Sequence, residues 1–302
     1  MNRTEQLAAL HSGIGAADRS DRAVVVVTGP EAVSFLQALV SADVDALTAG
    51  ATAESLLLSP QGKLDVAFRL LLVGGDEDGQ EVWLDADPGL GPQLAASLDR
   101  FRIRVKAEVT DRSAELGVVS LIGPGAPASL AAGPRTHVVA TAHGVDVIGP
   151  TPELAEIAAH FDTVEPEVYE AWRIEEGIPV QPLDLDASTI PQEAELEVDA
   201  VSFTKGCFLG QELVCRIDSR GHVNRFLRRI IDVDGDWPTR GAEIVAGEKV
   251  VGAVTSVAPA SLPTGALGYV RREVEPPATI ELRWEGGHAR ATVAERRGAP
   301  SR

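Results

Sequence analysis

The N-terminal part of the chain alternates between apolar runs and turn-forming residues. Ala23–Val27 is a β-branched run closed by Gly29 and Pro30, which is typical of a buried strand followed by a turn. From Val33 to Leu39 the apolar residues recur at helical spacing. This pattern predicts a strand and an amphipathic helix, whereas residues 1–20 are polar and are expected to be irregular.

A hairpin is predicted next. Ser55–Leu58 reads as a strand, residues 59–63 contain Pro and Gly and read as a turn, and Val66–Val73 reads as the returning strand. The same criteria predict three more strands, Val82–Asp85, Val105–Val109 and Val118–Ile122, and three helices, Pro92–Phe101, Pro152–His160 and Glu167–Glu176. Val118–Pro124 repeats the strand-and-turn pattern of Val24–Pro30, which indicates two similar halves within one α+β domain.

The C-terminal third has a different pattern. Residues 181–203 are acidic and rich in loop-forming residues. Short β-rich runs separated by Gly, Pro and Asp then follow: Val223–Val233, Glu243–Val245, Lys249–Val257, Gly265–Val270 and Ala278–Trp284. This spacing is typical of a small β-barrel or sandwich. We therefore predict an α+β body over residues 1–220 and a small C-terminal β-barrel over residues 221–302.

Composition and charge bear on whether the protein binds nucleic acid or membranes. The chain has 302 residues, of which 44% are hydrophobic, and a net charge of −18. Such an acidic surface repels phosphate backbones, so we expect no nucleic-acid partner. No segment approaches the length of a membrane-spanning helix, and the start of the chain carries no export signal. We therefore expect a cytoplasmic protein with no membrane partner.

The run Lys205-Gly206-Cys207-Phe208-Leu209-Gly210-Gln211-Glu212 holds one of only two cysteines. An ammonium near a thiol favours the reactive thiolate, so Cys207 and Lys205 are the candidate catalytic residues. The alternative is a small buried residue beside a turn. As a functional thiol, Cys207 has open roles as a redox sensor, a transient metal or persulfide ligand, or a covalent partner. The other cysteine, Cys215, lies in an apolar stretch and is expected in the core.

Metal binding by the chain alone is not predicted. Two cysteines are fewer than the four ligands that an iron–sulfur cluster usually takes. The six histidines show no metal-binding spacing.

The cysteine run resembles the K-G-C-[FY]-x-G-Q-E signature of the YgfZ-type folate-binding proteins, which are relatives of the glycine-cleavage T-protein, an aminomethyltransferase. Phe208 stands where many members have tyrosine. Further similarity lies in Thr28–Gln37, Arg173–Pro179 and Ile190–Glu193. The resemblance implies an aminomethyltransferase-like folate-binding body followed by a C-terminal barrel. It also implies tetrahydrofolate, or a one-carbon derivative, as cofactor and iron–sulfur client or assembly proteins as partners.

The resemblance also implies folate-binding residues. Arg173 and Glu175 match the R-[LI]-E-A-G block, whose glutamate contacts the pterin ring in the family, and a carboxylate suits the pterin's N–H donors. Tyr169 and Trp172 lie three residues apart on the same predicted helix, as an aromatic wall for the pterin or as core. Glu176 is expected at the surface.

An anion-binding pattern follows the cysteine, and folate ends in glutamate carboxylates. Gln211 and Glu212 complete the signature, and Arg216, Arg220 and Arg225 come after it. Arginine holds a carboxylate with two parallel hydrogen bonds. Arg22, ahead of the first strand, is a further candidate for a ligand carboxylate. The alternative for each arginine is a solvated surface position.

One departure from the transferases concerns their acidic Gly-Gly-x-x-Asp-Asp segment. It falls on residues 62–67, where Val66 and Ala67 replace the aspartate pair and Asp65 stands one place early. The leading hypothesis is therefore a tetrahydrofolate-binding accessory protein for iron–sulfur cluster assembly or repair. The alternatives are a one-carbon transferase that uses Asp65 or Asp85 as base, and a redox scaffold without folate.

Overall fold

The structure is a computed structural model that describes residues 1–76, 79–127, 130 and 133–297. The chain forms two compact units. One, the barrel unit, consists of Met1–Leu7, Pro166–Val198 and Glu212–Arg302. The other, the two-sheet unit, consists of Ala8–Glu165 and Asp199–Gln211. The predicted boundary after residue 220 remains a prediction, and residues 298–302 of the predicted C-terminal domain lie outside the described residues.

The helices are α1 (Arg3–Ser12), α2 (Ala32–Leu39), α3 (Gly91–Asp99), α4 (Thr151–Ala158), α5 (Pro166–Glu176), α6 (Glu197–Ala200) and α7 (Gln211–Arg220), with a 3-10 helix at Pro191–Glu193. The first ten strands are β1 (Gly15–Arg19), β2 (Ala23–Gly29), β3 (Thr52–Leu58), β4 (Leu64–Asp76), β5 (Gly79–Ala86), β6 (Glu108–Asp111), β7 (Leu116–Ile122), β8 (His137–Thr141), β9 (Gly144–Pro150) and β10 (Thr163–Val164). The last six are β11 (Arg225–Gly235), β12 (Glu243–Ala246), β13 (Lys249–Val257), β14 (Ala266–Arg271), β15 (Ala278–Trp284) and β16 (Gly287–Ala294).

The two-sheet unit contains two five-stranded sheets, ordered β3-β4-β5-β2-β6 and β10-β1-β7-β9-β8. The predicted hairpin is confirmed, because β3 and β4 pair antiparallel. Alternate residues of the first sheet face opposite sides. Leu70 and Leu84 face a core covered by α2 and α3, whereas Leu71 and Trp83 join Val118 of the second sheet in an apolar cluster shared by both sheets.

The repeated strand-and-turn pattern forms one strand of each sheet, β2 in the first and β7 in the second. β2 ends at Gly29 with φ +121°, and β7 is followed by Gly123 with φ +120°. A Cβ atom at either position would lie 2.5 Å or less from a backbone oxygen, that of Lys106 or of Gly13. Both turns therefore require glycine for the same two reasons, backbone conformation and close approach.

The barrel unit carries a closed six-stranded barrel in the order β11-β14-β13-β12-β15-β16. Every neighbouring pair is antiparallel. The interior is filled by buried aliphatic residues such as Ile244, Val254 and Leu282. The predicted α+β class and the predicted C-terminal barrel are confirmed.

Some sequence expectations were wrong. Residues 1–20 are not irregular, because they contain α1 and β1, and β1 lies between β10 and β7 in its sheet. The strand predicted at Val105–Val109 begins later, as β6, and within the described residues it pairs with β2 alone. None of the helices in the described residues is long and apolar enough to cross a lipid bilayer.

Candidate functional site

Lys205 lies in the segment between α6 and α7, and its ammonium is enclosed by three backbone carbonyls. Nζ donates to the oxygens of Gln37, Val40 and Ala42 at 2.7, 2.7 and 2.6 Å. An ammonium has three N–H donors, so the three carbonyls satisfy all of them. These carbonyls lie at the end of α2, where a helix leaves C=O groups unpaired. Burial lowers the pKa of the Lys205 amine to about 8, although two nearby aspartates act in the opposite direction.

Two buried serines strengthen the same junction. The Ser41 hydroxyl donates to the carbonyl of Ala200 at 2.5 Å and accepts from the Leu56 N–H at 2.8 Å. The Ser55 hydroxyl accepts from the Ala42 N–H at 3.1 Å. The segment that enters the cysteine motif is therefore tied to α2 and β3 by side chains as well as by Lys205.

The far end of the motif is fixed by close contact. Gly210 has φ +79°, and a Cβ atom there would lie 2.5 Å from the carbonyl oxygen of Ser59 in the β3–β4 turn. Phe208 is buried, and Leu209 packs against the core formed with α2 and α3. The motif is therefore anchored on both sides of Cys207.

Cys207 itself is exposed to solvent and is a free thiol. A Cβ atom added to its neighbour Gly206 would have no atom within 4 Å. Unlike Gly210, Gly206 is therefore not required by contacts within the protein. The motif presents a thiol and a bare stretch of backbone at the surface of a segment that is otherwise held in place.

Arg173, a predicted folate ligand on α5, is fully buried and serves the framework of the barrel unit. Its guanidinium donates twice to the Glu170 carboxylate, at 2.6 and 2.5 Å. Its other donors reach the Ile178 carbonyl at 3.1 Å, Asp184 at 3.1 Å and the Ser256 hydroxyl at 3.0 Å. Five hydrogen bonds use the five N–H groups of an arginine. Arg173 therefore has no donor left for a ligand, and we assign it to the framework.

Glu175 and Glu176 share one cation. Arg297 donates to Glu175 at 3.1 Å and to Glu176 at 2.5 Å. The expectation that Glu176 lies at the surface was wrong, because its side chain is 10% exposed, whereas that of Glu175 is 20% exposed. On the same helix, Tyr169 and Trp172 have ring centroids 5.7 Å apart; Tyr169 is half-buried and Trp172 is buried. Of the candidate ligand residues on α5, Glu175 and Tyr169 are the two that solvent can reach.

The remaining candidates near the motif lie on α7. Gln211 is half-buried at its start, while Glu212, Arg216 and Arg220 are exposed. Arg216 and Arg220 are four residues apart and so share a helix face. Cys215 was expected in the core, but it is only half-buried.

Arg22 belongs to a charge cluster between the two sheets. It pairs with Asp85 at 2.5 Å and with Asp87 at 2.8 Å, and Arg69 pairs with Asp85 at 2.6 Å and with Asp146 at 2.7 Å. Burial alone would raise the pKa of Asp85, but the two guanidinium groups outweigh it and hold that pKa below its usual value. Arg22 therefore meets carboxylates of the protein itself.

Glu54 stands beside this cluster, directly opposite Arg69 in the β3–β4 pairing. Its side chain reaches solvent, yet loss of hydration and the charges of Asp85 and Asp146 raise its pKa, against the effect of Arg69 and Arg22.

Neither aspartate proposed as a transfer base is well placed for that chemistry. Asp85 is 1% exposed and paired with two arginines. Asp65 is the extra residue at a bulge, because Leu57 pairs with Val66 and Leu58 with Leu64, and its carboxylate accepts from Gln93 at 2.8 Å. The geometry therefore does not favour an aminomethyl transferase.

Sequence reasoning missed Arg69, Glu54 and Arg297. Arg69 had a visible signal, since it is the one charged residue in the apolar run Val66–Val73. A charge in such a run requires a buried partner. Glu54 and Arg297 had no comparable signal, because their partners are set by strand register and by a contact between residues 122 positions apart.

The chain is similar to proteins of two named groups. No family model matches the chain. A mitochondrial iron–sulfur cluster assembly factor IBA57 homologue of Mycosarcoma maydis is 31% identical over 220 residues, which cover 68% of this chain and 54% of that protein. The tRNA-modifying protein YgfZ of Yersinia pseudotuberculosis is 27% identical over 247 residues, 74% of this chain and 73% of that protein. The chain thus spans little more than half the length of the IBA57 relative.

The fold has a solved counterpart. The crystal structure of the glycine cleavage system aminomethyltransferase T from Bartonella henselae superposes with a TM-score of 0.77, covering 98% of this chain and 90% of that one. The sequence identity is 20%, so the likeness concerns the fold. Together with the motif around Cys207, these similarities show that the chain belongs to the family of the YgfZ and IBA57 proteins and has the aminomethyltransferase T fold.

Proposed function

We propose that this protein is a tetrahydrofolate-binding accessory factor in iron–sulfur cluster assembly or repair, with Cys207 as its functional thiol. The observation that carries the proposal is the presentation of Cys207, an exposed thiol on a segment fixed by Lys205 and Gly210. The relative named as an iron–sulfur cluster assembly factor supports the assignment to cluster assembly. Both cysteines are free thiols, which suits a reducing compartment such as the cytoplasm.

Folate binding is assigned to the two candidate residues of α5 that solvent can reach. Glu175 offers a partly exposed carboxylate that can accept hydrogen bonds from the pterin, and Tyr169 offers a half-buried ring. Arg297 pairs with the Glu175 carboxylate at 3.1 Å. The role is binding and assembly, since Asp65 and Asp85 are engaged within the protein.

The folate assignment is tested by calorimetric titration of the full chain with tetrahydrofolate. We expect saturable binding by the wild type, and Glu175→Gln should weaken it at least tenfold because an amide cannot accept as a charged carboxylate does. Glu176→Gln is the matched control, since Glu176 shares Arg297 but lies deeper. Equal losses in both variants, or no binding by the wild type, would contradict the assignment.

The thiol assignment is tested in cells that lack the gene. We expect the activity of radical-type iron–sulfur enzymes to be restored by the wild type and by Cys215→Ser, but not by Cys207→Ser. Restoration by Cys207→Ser would remove the thiol from the proposal. The net charge of −18 disfavours a phosphate-binding surface, so we propose that any effect on tRNA modification passes through an iron–sulfur client.

A further inference from the structure

A cavity of about 450 Å³ opens on the barrel unit. Residues 250–253 of β13 line it, and so does Leu183, from the segment after α5. Val250 and Leu183 are 51% and 37% exposed, which is unusual for large aliphatic side chains in a chain with a well-filled core. The volume suits a small organic molecule, and the wall suits its apolar part.

Two arginines line the same cavity. Arg225 and Arg271 are directly opposite each other in the β11–β14 pairing, an arrangement of like charges that is unfavourable by itself. Arg225 donates through Nη2 to Glu193 at 2.9 Å, and its guanidinium lies 4.3 Å from the centre of the Tyr269 ring. The Arg271 side chain is 64% exposed and is 3.8 Å from Glu273, beyond hydrogen-bond distance. An anion between the two guanidinium groups would relieve their repulsion.

Tyr269 also lines the cavity and brings a buried hydroxyl group to it. The residue is 8% exposed, and within the described part of the chain its hydroxyl oxygen is buried without a hydrogen bond. Burial raises the pKa of Tyr269 to about 12, and hydrogen bonding to the Thr189 side chain acts in the opposite direction, although the two hydroxyl groups are not aligned as in an ordinary hydrogen bond. The Thr189 hydroxyl is itself engaged with Asp186. Buried hydroxyl groups are normally hydrogen-bonded, so the Tyr269 hydroxyl is available to donate to a ligand in the cavity.

The acidic residues of the cavity set the charge of that ligand. Both oxygens of the Asp184 carboxylate accept hydrogen bonds, one from Arg173 and the other from the Thr255 hydroxyl. Asp186 accepts hydrogen bonds from Ser188. Glu193 and Asp186 offset part of the positive charge of Arg225. A doubly charged phosphate would therefore meet surplus negative charge, whereas a single carboxylate matches the two arginines.

We propose that this cavity binds a small monocarboxylate with an apolar body. Arg271 and Arg225 hold the carboxylate, the Tyr269 hydroxyl donates a hydrogen bond to the ligand, and Val250–Ala253 covers the apolar part. A free organic acid and the C-terminus of a polypeptide present this same chemistry. The site is separate from the proposed folate site, because Glu175 does not line the cavity.

The test is titration of the full chain with benzoate and with a leucine-ended tetrapeptide, the latter as free acid and as C-terminal amide. Saturable binding of benzoate alone identifies a free acid, and binding of the peptide acid but not the amide identifies a chain terminus. Arg271→Gln should weaken that binding at least tenfold. Arg283→Gln, an exposed barrel arginine paired with Glu281, is the control and should not change it.

Tyr269→Phe provides a second readout. It should weaken binding several-fold and raise the melting temperature of the free protein, because it removes a buried hydroxyl that forms no ordinary hydrogen bond within the described residues. Absence of binding for both acids, equal binding of the amide, or unchanged affinity in Arg271→Gln would overturn the proposal. Loss of benzoate binding in saturating tetrahydrofolate would overturn the separateness of the site.

Discussion

Replacement of Lys205 by methionine tests how the cysteine motif is held. Methionine keeps the length and the apolar stem of lysine but has no N–H donor. The change leaves the carbonyl oxygens of Gln37, Val40 and Ala42 without the partner that now lies 2.6 to 2.7 Å away. The junction between the motif and the end of α2 should loosen.

The size of the effect follows from those three bonds. Each buried carbonyl that loses its partner costs about 1–3 kcal/mol. Lys205 is 9% exposed, so water can reach part of the space after substitution. Burial of an ammonium also carries a desolvation cost that the variant no longer bears. We therefore take the lower end of the range and expect a loss of about 3 kcal/mol in the free energy of unfolding.

The assay is urea unfolding of Lys205→Met beside Lys63→Met, an exposed lysine in the β3–β4 turn. A Cys215→Ser background allows the rate of Cys207 modification by a thiol reagent to report on the loop, and we expect that rate to rise. Lys205→Arg should not restore stability, because a planar guanidinium cannot direct three donors from one atom. Unchanged stability and an unchanged modification rate in Lys205→Met would refute this account.

Two further predictions concern the two-sheet unit. Gly210→Ala should lower the free energy of unfolding by about 1–3 kcal/mol, because φ is +79° and the new Cβ would lie 2.5 Å from the Ser59 oxygen. The control, Gly206→Ala, should leave the free energy of unfolding unchanged. Equal urea midpoints for the two variants would contradict this prediction. Asp85→Asn should cost about 3–5 kcal/mol at pH 7. Since the pKa of Asp85 is lowered in the folded state, this stabilisation exists above the unfolded pKa of about 4. This stabilisation is lost as the pH falls through the folded pKa, so the free energies of unfolding of the variant and the wild type should become equal in acid. A difference in that free energy that does not change with pH would count against the ion pairs.

The sequence pattern predicted those strands and helices that are determined by neighbouring residues in the chain. The hairpin of β3 and β4 follows from alternation on both sides of a Pro- and Gly-containing turn, and the barrel strands follow from regularly spaced β-rich runs. Helix α7 was missed because its few apolar residues sit among charges and it begins inside the motif that drew attention to Cys207. Helix α1 was missed for a similar reason, since most of its residues are polar.

The site depended on contacts that no local pattern contains. The carbonyls around Lys205 lie 163 to 168 positions away along the chain. The sequence suggested Lys205 as an activator of Cys207, whereas its three donors serve the end of α2. Arg173 was likewise expected to meet a ligand and instead joins α5 to Asp184 and Ser256. In both cases a cation that looked functional satisfies buried acceptors brought together only by the fold.

The pairing of Glu54, Arg69 and Asp85 across β3, β4 and β5 also acts as a check on strand alignment during folding. Each of the three is directly opposite its neighbour in the pairing. A slip of β4 by one residue would turn Arg69 to the face that Leu70 now occupies, where a guanidinium without a partner costs several kcal/mol. A misaligned pairing would therefore bury an unpaired guanidinium as the apolar cluster on that face closes, and the native alignment is favoured over it.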